Sequence, residues 1–193
     1  MKPTTLLLLL LLAPILLFSQ IGPQESRDIF RRQYNAELTY DVSIKYICQE
    51  LLAVEHNKLA DVTFGVAASA KSGELTTIGY HSDILQKQGL VFVFWNDRLT
   101  NETFFGYDGY GFRNFDLNAT NVIITRLTQI LEDKKVVLEE DKFAIFQYED
   151  VTFVFKGNKT IYVCWKDFRA LWTTTNLETT IKRVEKFLKR KNG

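Results

Sequence analysis

Val151-Thr152-Phe153-Val154-Phe155-Lys156-Gly157-Asn158-Lys159-Thr160-Ile161-Tyr162-Val163-Cys164-Trp165 reads as two strands, Val151–Lys156 and Thr160–Trp165, joined by a Gly157-Asn158 turn. A third strand, Lys142–Tyr148, precedes them across Glu149-Asp150. Connections this short join antiparallel neighbours, because parallel strands need a crossover of a dozen residues or more. This stretch therefore decides for a domain built on an antiparallel sheet.

Working outward, Leu177, Ile181, Val184 and Leu188 fall at i, i+4, i+7 and i+11, which predicts an amphipathic C-terminal helix. On the N-terminal side, Asn118 is placed to cap a helix from Ala119 to about Leu131, with Val122, Leu127, Ile130 and Leu131 apolar. Leu90–Trp95 is apolar throughout, as expected of a strand buried on both faces. Val62, Phe64 and Val66 alternate within Asp61–Ala68, and Leu75–Tyr80 is the partner strand across Lys71-Ser72-Gly73. The polar stretch His81–Gly89 has room for one or two helical turns. Ile44, Ile47, Cys48, Leu51 and Leu52 lie at helical spacing and predict a helix over about 36–58. The expected class is α+β: an antiparallel sheet of about six to eight strands packed with N-terminal, central and C-terminal helices. This order suits several superfolds, a histocompatibility-type platform and a small secreted carrier barrel among them, and no motif selects one.

The chain starts with Lys2 and a thirteen-residue apolar run, Leu6–Phe18. A bilayer-spanning helix needs about twenty apolar residues, so this length fits a signal peptide instead. Residues 1–20 are read as that signal, cut near Ser19 or Gln20, and 21–193 as one globular domain. The longest later apolar run is Leu90–Trp95, so no membrane span is expected after cleavage, and the expected location is extracellular. Removing Lys2 leaves 24 − 1 = 23 cations against 23 anions. A neutral chain has no field to gather nucleic acid or anionic lipid.

Export gives meaning to the sequons and the cysteines. Asn101-Glu102-Thr103, Asn118-Ala119-Thr120 and Asn158-Lys159-Thr160 are expected glycosylation sites. Cys48 and Cys164 are the only cysteines, and an even count in an exported chain favours one disulfide over two buried thiols. A bridge closing more than a hundred residues would stabilise by about 4–5 kcal/mol in the chain-entropy picture.

Catalytic patterns are sparse. With two histidines, His56 and His81, a three-histidine zinc site is impossible, and neither His-Glu-x-x-His nor Cys-x-x-Cys occurs. No Gly-x-Ser-x-Gly elbow is present. On one helix, His56 would lie about 12 Å from Cys48, beyond hydrogen-bond reach. Gly106, Gly109 and Gly111 have the wrong order for a dinucleotide loop, and no cofactor or metal is expected. A carboxylate pair is the one chemistry left open; the densest acidic run, Glu139-Glu140-Asp141, reads as a solvated turn.

Between Thr103 and Phe115, Asp108-Gly109 flanked by Tyr107 and Tyr110 predicts a two-residue hairpin. Tyr107, Tyr110 and Phe112 on it would form a recognition surface for an extracellular protein or glycan. Alternate rings packed into the sheet core are the commoner fate of such residues. The cations Lys182, Arg183, Lys186, Lys189, Arg190 and Lys191 read as the solvated face of the last helix rather than a polysaccharide site. The leading functional expectation is a secreted binding module without catalytic chemistry. Its rivals are a carrier of a small apolar ligand, its cavity lined by the fifteen Phe and eight Tyr, and a carboxylate-based hydrolase.

Overall fold

A computed structural model of the chain describes residues 38–53, 59–69, 74–96, 109–133, 143–157 and 160–189. A first helix, α1 (38–46), continues into a wider π-turn, Ile47–Leu51. Four strands follow: β1 (Thr63–Ser69), β2 (Leu75–Ser82), β3 (Lys87–Trp95) and β4 (Tyr110–Asp116). Helix α2 (Leu117–Glu132) leads to β5 (Phe143–Tyr148), β6 (Val151–Lys156), β7 (Thr160–Trp165) and β8 (Phe168–Thr173), and α3 (Thr174–Lys189) ends the described chain. The α+β class holds. The eight strands form two antiparallel four-stranded sheets, β1-β2-β3-β4 and β5-β6-β7-β8, rather than one sheet.

Alternation explains why there are two sheets. On β3, Leu90, Phe92 and Phe94 point to one side and Val91 and Val93 to the other, and all five are buried. A strand apolar on both faces needs cover on both. On the first side, Phe92 meets Phe153 and Trp172 at ring separations of 6.2 and 6.1 Å. Phe94 meets Trp165 and Phe168 at 5.6 and 5.8 Å. Ile123 and Leu127 of α2, and Leu177, Ile181, Val184 and Leu188 of α3, close the same core. On the second side, Val91 and Val93 pack with Ile78 and Tyr80 against Ile47 and Leu52. Helices thus cover both sides of the first sheet, and no helix among the described residues is long and apolar enough to cross a membrane.

The π-turn has a packing reason. The Leu52 N–H donates to the Ile47 carbonyl five residues back, at 2.9 Å. That wider turn brings Leu52 as well as Ile47 to the sheet, both buried. Ala53 then takes a left-handed conformation, φ 45°, and the helix stops before reaching the predicted end near 58. Asp116, not Asn118, caps α2: its Oδ1 accepts the Ala119 N–H at 2.8 Å. His81–Gly89 forms a strand-to-strand turn at Asp83–Gln86, with no helix. The expected Asp108-Gly109 hairpin falls largely outside the described residues, which resume at Gly109. Tyr110 pairs with Trp95 of β3, and the Gly109 carbonyl accepts the Asn96 N–H at 2.8 Å. Asp108 and Tyr107 lie outside the described residues.

Helix α3 docks on β1 and β2 through two glycines that face each other in register, Gly65 and Gly79. The Phe187 ring lies flat over both, so a Cβ on either would sit 2.6–2.7 Å from ring carbons. Gly79→Ala therefore forces the helix away from the sheet. Overpacking of this kind costs about 1–3 kcal/mol. Calorimetry should show a melting temperature lower by several degrees, and Phe187→Leu in the same chain should recover part of the loss.

Candidate functional site

The second sheet buries one face and presents the other. Val151, Phe153, Phe155, Ile161, Val163, Trp165, Ala170 and Trp172 point inward and are buried. Pairing register aligns the outward residues into a row across all four strands: Ile145 opposite Val154, Val154 opposite Tyr162, and Tyr162 opposite Leu171. Ile145 is 69% exposed and Leu171 48%, and Phe143 beside the row is 59% exposed. Apolar side chains in such a run are unusual on a surface, where single exposed residues are the norm. Outward cations flank the row: Lys156 Nζ lies 5.7 Å from the Phe143 ring centre and the Arg169 guanidinium 4.1 Å from that of Tyr162. Among the described strand residues no carboxylate shares this face. Chemically it can form apolar contacts and accept negative charge at its margins.

Polar contacts at two places fix this sheet against the first. Asp150, in the β5–β6 turn, accepts from Arg113 Nε of β4 at 2.6 Å and from the Trp165 indole N–H at 2.8 Å. Arg113 also reaches Glu149. Partial burial works to raise the Asp150 carboxyl, but the hydrogen bonds from Arg113 and Trp165 outweigh it and hold the group below its usual range. On the β8 side, the Glu74 carboxylate accepts the Leu171 N–H at 2.9 Å.

A second feature is a polar cleft of about 690 Å³ beside the β2–β3 turn, whose lining includes Tyr80, His81, Lys87, Gln88, Asn114 and Asp116. His81 Nε2 contacts the Asp83 carboxylate at 2.6 Å, and the Tyr80 hydroxyl donates to Asn114 Oδ1 at 2.9 Å. Burial, with the nearby Asp116 charge adding, pushes the Tyr80 phenol up. Ser82 hydrogen-bonds Asp61 and the Leu85 N–H, and it leaves β2 on the side opposite His81. The two neighbours therefore cannot form a serine–histidine couple. Among the described residues, no three metal-ligating side chains cluster.

The sequence-predicted site residues are scattered. Tyr110 and Phe112 are half-buried beneath α1: Phe112 stacks on Tyr46 at 4.2 Å, and the Tyr110 hydroxyl lies 3.2 Å from Thr39 Oγ1. Tyr107 lies outside the described residues, as do Asn101, Asn158, His56 and the 139–141 acidic run. Asn118 is exposed in the first turn of α2. The expected disulfide is absent: Cys48 and Cys164 are free thiols. Cys48 sits in the helical segment covering the first sheet, while Cys164 leaves the outward side of β7, so both sheets separate them. Burial pushes the Cys48 thiol up. Lys182, Arg183, Lys186 and Lys189 lie on the exposed side of α3. Comparison with family models, with curated proteins and with solved structures gave no match.

Because the folded-state Asp150 carboxyl is held low, its contribution is present above the unfolded value near pH 4 and is lost as pH falls below it. Asp150→Asn should cost about 1 kcal/mol or less at pH 7, since the carboxylate is half exposed and screened. The gap between the two proteins should close by about pH 2–3. Urea denaturation across that range measures it.

Proposed function

We propose that the protein is an exported binding module with no catalytic chemistry of its own, and that it recognises an extracellular protein through the outward face of its second sheet. The outward cross-strand row, exposed at Ile145 and Leu171 and half-buried at Val154 and Tyr162 between them, carries this reading. Apolar side chains held on a rigid sheet give contact area without an ordering cost on binding. The flanking Lys156 and Arg169 suit a partner that brings carboxylates to the margin of the contact.

The carrier alternative draws no support from the packing. The large aromatic residues that could line a cavity fill the core instead: Phe92, Phe94, Phe115, Phe153, Phe155 and Trp172 are each fully buried. The hydrolase alternative would need two convergent carboxyl groups. In the cleft, Asp83 is engaged by His81 and Asp116 by the helix cap.

A photo-crosslinking side chain at position 162 should capture a discrete partner in extracellular fluid, while the same group at exposed Val122 on α2 should not. Leu171→Asp should weaken that capture at least about tenfold while moving the melting temperature by no more than about 2 °C. Equal capture from both positions, or indifference to Leu171→Asp, would contradict the reading.

A further inference from the structure

Among the described residues the two sheets have four edges, and three are guarded. β1 carries a register shift between Val66 and Ala68, a bulge that breaks the ladder an incoming strand would copy. β4 carries Arg113 and Asp116. β8 carries Arg169, and its Leu171 N–H is already taken by Glu74. β5 is different. It ends the hydrogen-bonded order of its sheet, its register with β6 runs without a shift, and Phe143-Ala144-Ile145-Phe146-Gln147-Tyr148 holds neither a charge nor a proline. Charges, prolines and bulges are the devices that keep strand edges from pairing. β5 has none of them.

We propose that β5 pairs antiparallel with β5 of a second copy of this chain, about a two-fold axis at Ile145. The chemistry favours self-pairing because an uncharged strand meets no repulsion from its own copy. With Ile145 on the axis, Ile145 faces its equivalent, Phe143 faces Gln147, and Ala144 faces Phe146. The pairs formed by Phe143 through Gln147 are then all uncharged. Paired residues in an antiparallel ladder share a side, so apolar outward residues meet on the outward face.

This inference deepens the binding reading and gives it scale. At about 4.8 Å between strands and 3.3 Å per residue, one four-stranded face covers roughly 400 Å². That is about half of what a standard interface takes from each partner. Pairing through β5 joins two such faces into one eight-stranded sheet. The row then runs unbroken from Leu171 through Ile145 of one copy and on to Leu171 of the other. The joined face reaches the standard size.

Sedimentation velocity of the full exported chain between about 1 and 100 μM tests this. The wild type should form a dimer in that range. Ile145→Lys and Ile145→Asp should each sediment as monomers, their dissociation constants raised at least about tenfold, because like charges would meet on the axis. An equimolar mixture of the two should dimerise again. Hydrogen exchange on the wild type gives a second readout, with β5 amides protected at high concentration and exposed at low. A wild-type monomer at 100 μM, an unaffected Ile145→Lys dimer, or a mixture that stays monomeric would overturn the inference. Leu171→Asp lies three strands from the axis and should dimerise normally. A missing dimer with crosslinking at 162 intact would therefore remove this inference alone.

Discussion

The structure depends on one aromatic contact, in which Phe92 and Phe94 of the first sheet meet Phe153, Trp165, Phe168 and Trp172 of the second. Neither sheet can bury its apolar face alone, and each supplies the cover that the other needs. The edge-to-face geometry of Phe92 against Phe153, with rings at 82°, is a favourable arrangement for aromatic quadrupoles. Once those faces meet, the rest is constrained. Helices α2 and α3 fill the remaining sides of the same core, and α1 must cover the second apolar face of β3. The outward face of the second sheet has no such cover among the described residues.

Much of this order was legible in the chain. The three strands between 142 and 165 and the last helix lie where period-two and period-3.6 patterns place them, because their inward residues are strongly apolar. Leu90–Trp95 announced its double burial by lacking polar residues. β8 is masked in the sequence although Phe168, Ala170 and Trp172 alternate inward, since Lys166-Asp167 and Arg169 give the segment a polar look. The division into two sheets could not be read: every pairing joins neighbours in sequence, and no local pattern tells whether β5, after α2, adds to β4 or begins a new sheet. The helix cap was misplaced by two residues: Asp116 and Asn118 are both good caps, and only the end of β4 decides between them.

The site was less legible than the fold. The densest aromatic cluster is the most conspicuous surface candidate in the sequence, yet Tyr110 and Phe112 serve the packing of α1. The outward row is hidden in the sequence, because Ile145, Val154, Tyr162 and Leu171 are spread over four strands and 27 positions (171 − 145 + 1). Each looks like an ordinary strand residue until register aligns them. A clue lay in the alternation itself. In a half-exposed strand the outward positions should be polar, and those of β5 are Phe143, Ile145 and Gln147. The disulfide expectation rests on an even cysteine count in an exported chain, which carries no geometry, and the two thiols stand on opposite sides of the paired sheets.

Hydroxyl-radical footprinting of the dilute protein, read residue by residue over β5–β8, tests most directly whether this sheet has one face in the core and one presented to partners. The account predicts oxidation of Phe143, Ile145, Tyr162 and Leu171, with Phe153, Phe155 and Trp172 protected until the whole domain unfolds. Equal oxidation of both sets, or protection of Phe143, Ile145 and Leu171 in the isolated chain, would contradict it.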